Sequence, residues 1–179
     1  MRIKHLLGLL GLSTLMAFSQ PANAASSSYV ITNHTRTIVV PTVIEEFKHL
    51  PEATRQQLLC QSVAIFYEAS HRSEPDERMV AHVVVNRLHE GSFGTTPCGV
   101  VFARHAGFGF TLEHRKSHIP DGPAWERNQH IAYAAYTNPH DPDPSGGRMY
   151  FRQGKRLPPW AKHNHHQYHP IRVGPHLVY

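Results

Sequence analysis

The chain has 179 residues, with 18 basic and 13 acidic side chains, a formal net charge of +5 and 16 histidines. Such a length suits one compact domain once any leader is set aside. The positive balance favours an anionic surface but is far too small for a nucleic-acid signature, and nucleic acid is excluded as a partner.

Met1-Arg2-Ile3-Lys4 is a short basic start, and Leu6 to Phe18 is an apolar run broken only by Gly, Ser and Thr. Ser19-Gln20-Pro21 then interrupts it, and Ala22-Asn23-Ala24 supplies a small-x-small cleavage site. Together these read as a secretory signal peptide over residues 1–24, cleaved near Ala24. The alternative is a membrane anchor, but the run is short of the ~20 residues that span a bilayer. No later stretch is apolar enough for stable membrane insertion. The expected location is therefore the periplasm or the exterior. Without Arg2 and Lys4, 16 basic side chains face 13 acidic ones.

Residues 25–49 are rich in Ser, Thr and Val without a helical period, and read as an extended or mobile lead-in to a domain over 50–179. A first helix is expected from Leu50-Pro51, with Thr54 and Gln57 matching a capping box. Leu59, Val63, Phe66 and Tyr67 form its apolar stripe. The pattern stops near Ser70-His71, which places Glu68 in the last turn. A second helix is announced by Ser73 as N-cap, by Pro75, Asp76 and Glu77 in its first turn, and by Gly91 as its stop. Its apolar positions are Met79, Val80, Val83, Val84 and Leu88. That β-branched run alone could be a strand, but the charged start and the spacing favour a helix.

Gly91 to Gly122 reads as loop with short elements. A third helix is expected over about Ala124 to Asn138, with Trp125, Ile131, Ala132, Ala135 and Tyr136 inward and Pro139 as its end. Asp143-Pro144-Ser145-Gly146-Gly147 is a turn signal leading into the β-prone Met149-Tyr150-Phe151. The tail beyond it reads as largely irregular. The expected fold class is mainly α (α+β), a small single domain with a minor β element. Cys60 and Cys98 can form one disulfide in an oxidising compartment. The alternative is two buried free thiols.

Among the carboxylates Glu68 stands apart, because Phe66 and Tyr67 precede it, Ala69 follows, and its helix face is apolar. Desolvation and the negative helix end both favour the protonated form, as a general acid requires. A helix-end glutamate can equally be a structural hydrogen-bonding group.

Further residues bear on that choice. Tyr67-Glu68-Ala69, Val83-Val84-Val85-Asn86-Arg87 and Cys98-Gly99-Val100-Val101 resemble the Y-E-A, V-V-L-N-R and C-G-V-V segments of the SleB-type (spore cortex-lytic enzyme) cell-wall hydrolase family. Phe108-Gly109-Phe110-Thr111 sits where that family has F-S-W/F-T. The run Asp143 to Phe151 resembles its D-P-T-x-G-A-x-Y-Y/F, and Pro159-Trp160 and Gly174 to Tyr179 resemble its closing segments. The resemblance spans Leu58 to the last residue, in order. It implies a lysozyme-like or lytic-transglycosylase-like fold, peptidoglycan as partner, no cofactor, and Glu68 as the catalytic acid. Asn86, Tyr150, Trp160 and His176 match family positions and are candidates for substrate binding or for core and groove wall. Phe108, Phe110 and Trp160 would suit stacking on sugar faces, or ordinary packing. The chain departs from the family in reading Ser70-His71-Arg72 for R-G-E and Gly107 for Gln. It also has Ala106 and Leu112 where a second cysteine pair often stands, which suits a bridge between Cys60 and Cys98.

Ordinary glycosidases need two carboxylates, and one convincing candidate points instead to a lytic transglycosylase. A hydrolytic muramidase would need Glu113, Glu74 or Asp143 near Glu68, with Glu113 the first choice because it follows the aromatic segment. Two readings compete with catalysis. One is a non-catalytic peptidoglycan-binding relative. The other is a periplasmic metal-binding protein using His163, His165, His166 and His169, although no H-E-x-x-H occurs and no metal site is assigned. Nothing in the sequence speaks to oligomeric state.

Overall fold

A computed structural model describes residues 28–33, 36–103, 108–112, 117–154, 156, 158, 159, 161 and 169–179. The leader expected over residues 1–24 lies outside these, as do Glu113, Trp160, His163, His165 and His166. The protein is mainly helical, with two small three-stranded sheets.

The segment read as an extended lead-in forms a hairpin, β1 (Tyr29–Asn33) antiparallel to β2 (Arg36–Val40). Ile31, Ile38 and Val40 alternate inward along it and join the main core, so this hairpin packs as part of the body. A four-residue helix α1 (Glu45–Lys48) follows and buries Phe47.

Helix α2 (Glu52–Ala69) is the centre of the fold, packed against α3 (Glu74–Glu90), α4 (Pro97–Val101) and α5 (Pro123–Thr137). Every residue from Leu58 to Ile65 is buried. The expected stripe at Leu59, Val63, Phe66 and Tyr67 is therefore too narrow, because helices enclose α2 on several sides. The expected capping box does not form. The helix starts before Thr54 with Pro51 as N-cap and no side-chain cap bond, while the Gln57 side chain accepts from the backbone N–H of Cys98 at 3.0 Å. Cys60 and Cys98 are joined in a disulfide with Cα atoms 5.1 Å apart, tying α2 to α4.

Helix α3 begins after Ser73, carries Pro75 in its first turn and ends at Gly91, whose φ of 85° is the left-handed cap. Helix α5 is tied to the segment between β2 and α1: Trp125 donates to the Thr42 carbonyl at 2.8 Å, and Gln129 accepts from Ile44 N–H at 3.1 Å. Tyr136, expected inward, is 43% exposed, since α5 buries only the face carrying Trp125, Ile131, Ala132 and Ala135. A two-residue strand β3 (Ser117–His118) pairs parallel with β2.

The tail is less irregular than expected. β4 (Phe151–Gln153), β5 (Ile171–Val173) and β6 (His176–Val178) form an antiparallel sheet with β6 in the middle. Gly174 turns the β5–β6 hairpin at φ +52°, with the Asp76 carboxylate pressed against it where a Cβ would stand. Asp76 Oδ1 lies 3.0 Å from His176 Nδ1, and both side chains are almost fully buried. That pair fastens the sheet to the start of α3.

Candidate active site

Glu68 occupies the last turn of α2, as its spacing predicts. It is half-buried and lines a cleft of about 290 Å³ with Phe66, Tyr67, Ala69, Ser70, His71, Arg72 and Gln153. A larger cavity of about 510 Å³ lies elsewhere, between residues 42–45 and 121–129. Chemistry rather than size singles out the Glu68 cleft, because Glu68 is the one described carboxylate lining it and is shifted toward its protonated form.

The cause of that shift is physical. Burial pushes the Glu68 carboxyl above the usual carboxylate range. Backbone N–H groups of Gly109 and Phe110 and the charge of Arg87 pull the other way without cancelling it. The Gly109 bond, 3.1 Å to Oε1, comes from a short 3-10 turn over Gly109–Leu112. Such a carboxyl holds a proton to higher pH than a free side chain and has donors ready for its ionised form.

The aromatic residues flanking the acid divide between packing and cleft. Phe110 is buried and stacks on Tyr67, with ring centroids 4.8 Å apart and an interplanar angle of 18°. Phe108 is 1% exposed and lies under the Arg87 guanidinium at 4.9 Å. The rings that line the cleft are Phe66 and Tyr67.

Other residues singled out from sequence fall into place around this core. The Asn86 amide donates to Ser145 Oγ at 2.9 Å and to the Arg148 carbonyl at 3.1 Å, pinning the turn at 143–148. Tyr150 stacks on Tyr179 with centroids 5.8 Å apart. His176 is buried beneath Phe151 and bonded to Asp76. Its strand β6 pairs with β4 in a register that sets Gln153 opposite His176, so the Asp76–His176 pair supports the strand bearing one cleft residue.

Of the possible second carboxylates, Glu74 is exposed and paired with Arg78 at 2.8 Å. Asp143 accepts from Ser145 N–H and Gly147 N–H, both at 2.8 Å. Burial pushes the Asp143 carboxyl up, but the Ser145 hydroxyl, those two backbone bonds and His82 outweigh it and hold the carboxyl below the usual range. Asp76 and Glu77, read from sequence only as acids of the first turn of a helix, are both buried. The latter is gripped by Arg127 through two bonds of 2.7 Å. Arg87 was also missed as a site residue, although its spacing from Val80 and Val83 already puts it on the buried face of α3.

Residues 72–179 match the family model described as Cell Wall Hydrolase. The chain belongs to that family. The match covers α3 onward and begins just after Glu68, so membership rests on the helix, the disulfide-bearing segment and the C-terminal sheet that surround the acid. Neither the curated proteins nor the solved structures contain a significant match. Among the described residues, no helix is long and apolar enough to cross a membrane. Nor do the described residues hold a group of three or more His, Cys, Asp or Glu side chains that could bind a metal ion.

Proposed function

We propose that the protein is an exported enzyme that cleaves the glycan strands of peptidoglycan as a lytic transglycosylase, with Glu68 as the single acid and base. Family membership supports the cell-wall substrate. The observation that carries the mechanism is a half-buried carboxyl, shifted toward its protonated form, in a cleft edged by Phe66 and Tyr67. A lysozyme-like arrangement of the helices belongs to the same reading, as does export to the periplasm or the exterior.

In this scheme Glu68 donates its proton to the oxygen between the muramic sugar and its neighbouring amino sugar as the bond to the anomeric carbon breaks. The Gly109 and Phe110 amides then stabilise the carboxylate. That carboxylate takes the proton of the muramic 6-hydroxyl while its oxygen bonds to the anomeric carbon, closing an anhydro ring and restoring the acid. The sequence needs neither water nor a second carboxylate, whereas retaining and inverting hydrolases require one about 5–9.5 Å from the first.

The test is mass spectrometry of peptidoglycan digested with the full chain, beside Glu68→Gln. Anhydro-muropeptides should form with the wild type, and the variant should lose about 10²–10⁴-fold in rate, the usual contribution of a general acid. Reducing-end products would reject the transglycosylase step and point to a hydrolase. No products, together with retained binding to the wall, would replace the proposal with a non-catalytic binding role.

A further inference from the structure

Arg87 has no part in the chemistry just described, yet it is a cation taken almost wholly out of water. Its residue is 3% exposed in the main body of the protein, at the C-terminal end of α3. Three aromatic rings enclose the guanidinium: Phe93 at 4.7 Å, Phe108 at 4.9 Å and Tyr150 at 5.6 Å. Its Nε donates to the Met149 carbonyl at 2.7 Å. Burial lowers its pKa to about 10, with Tyr150, Glu68 and Tyr179 opposing that fall, so it stays charged at neutral pH.

The two segments that Arg87 holds both reach the Glu68 cleft. Phe108 immediately precedes Gly109, whose N–H bonds Glu68. Met149 and Tyr150 lead directly into β4, which carries the cleft residue Gln153. A planar guanidinium can stack on rings and fork hydrogen bonds at once, which an ammonium cannot. We propose that Arg87 is a positioning residue that fixes the Phe108–Phe110 turn and the 149–153 segment around Glu68 and adds a positive charge to that acid's surroundings. The proposal rests on Glu68 as the acid. Among the described residues, the titratable groups facing Arg87 are Glu68 from α2, Tyr150 from the segment before β4, and Tyr179 after β6. Those acting on Glu68 are Arg87 and the two backbone amides.

The experiment follows the Arg87 Nε–H and Gly109 N–H signals of the full chain by NMR as pH is varied, in wild type, Glu68→Gln, Arg87→Met and Arg87→Lys. In the wild type both signals should move with one shared midpoint, and that transition should vanish in Glu68→Gln. Arg87→Met removes a cation that favours the carboxylate and loosens the amide that binds it, so the Gly109 midpoint should move to higher pH. Arg87→Lys keeps the charge, so its midpoint should lie nearer the wild type, while kcat on peptidoglycan falls through lost positioning. An Arg87 signal that ignores the Glu68 transition overturns the proposal, as does a folded Arg87→Met with the wild-type midpoint. If Arg87→Met does not fold, the comparison of wild type with Glu68→Gln decides alone. Because the titration needs no substrate, coupled signals without glycan cleavage would sink the functional reading and leave the positioning role standing.

Discussion

The backbone N–H of Gly109 donates to Oε1 of Glu68 at 3.1 Å, joining the acid at the end of α2 to a turn 41 residues further along the chain. This bond favours ionisation of a carboxyl that burial pushes the other way, and burial prevails. A group whose folded-state pKa is raised binds its proton more tightly when folded. Its contribution to stability is present at low pH and is lost as pH rises through the raised value. Glu68→Gln cannot ionise. It should match the wild type near pH ~3.5, below the ordinary carboxylate value, and melt at a higher temperature than the wild type near pH ~7. Thermal melts at both pH values check this, and a difference that does not depend on pH would reject burial as the dominant influence on Glu68.

The Cys60–Cys98 bridge, with a sequence separation of 38, holds α4 against α2 upstream of the Gly109 turn. Closing a loop of this length restrains the unfolded chain by about 4 kcal/mol in the chain-entropy account. Urea unfolding of the full chain should show a loss approaching that size in the double variant Cys60→Ser/Cys98→Ser, and the same loss in the wild type on reduction. Equal midpoints with and without reductant would show that the bridge contributes nothing to stability.

Two glycines with positive φ separate backbone strain from steric fit. Gly91, at φ +85°, has nothing within 4 Å of an added Cβ. Gly174, at φ +52°, would drive a Cβ into the Asp76 carboxylate. Gly91→Ala should therefore cost about 1–2 kcal/mol, the strain of a left-handed residue. Gly174→Ala should cost about 3 kcal/mol or more, since overpacking is added to the same strain. Denaturant midpoints of the two variants, measured side by side, give the comparison, and equal losses would refute the Asp76 contact.

Glu77 is fully buried on α3, and both its oxygens are bound by Arg127 of α5. Removing the cation leaves a buried carboxylate uncompensated. Arg127→Met should cost about 3 kcal/mol, and Arg127→Lys should recover only part because the two-pronged geometry is lost. Adding Glu77→Gln to Arg127→Met should restore stability. A purely additive double-variant cycle would show that the pair is not coupled.

Helix α3 was legible because its boundaries are written in local chemistry: Ser73 and Pro75 at the start and Gly91 at the stop. Helix α2 was found, but its surroundings were misread. A periodicity search looks for one apolar face, and the stretch Leu58–Ile65, enclosed by neighbouring helices, has no single face to find. Of the C-terminal sheet only β4 was announced, by the β-prone run Met149-Tyr150-Phe151, while β5 and β6 escaped because three-residue strands are too short to display alternation. They are specified by pairing across the chain. The site shows the same division. Glu68 could be singled out from its apolar neighbours and helix-end position, whereas the Gly109 amide that grips it depends on tertiary folding. Asp76 and Arg87 share the buried side of α3 with Met79, Val80 and Val83, and that spacing alone marks both as buried charges. Their partners, His176 and the Met149 carbonyl, lie 100 and 62 residues away and could not be read locally.

The 100-residue span between Asp76 and His176 also bears on the order of folding. Helices α2 and α3 draw on neighbouring residues and can form early, whereas contacts of such separation must first overcome the entropy of closing a long loop. Glu68 would then stand at its helix end before β6 arrives to pair with β4 and bring Gln153 into register. A nascent or partly unfolded chain would thus carry Glu68 without a finished cleft, and any activity of the proposed kind should appear only with the final, long-range step of assembly.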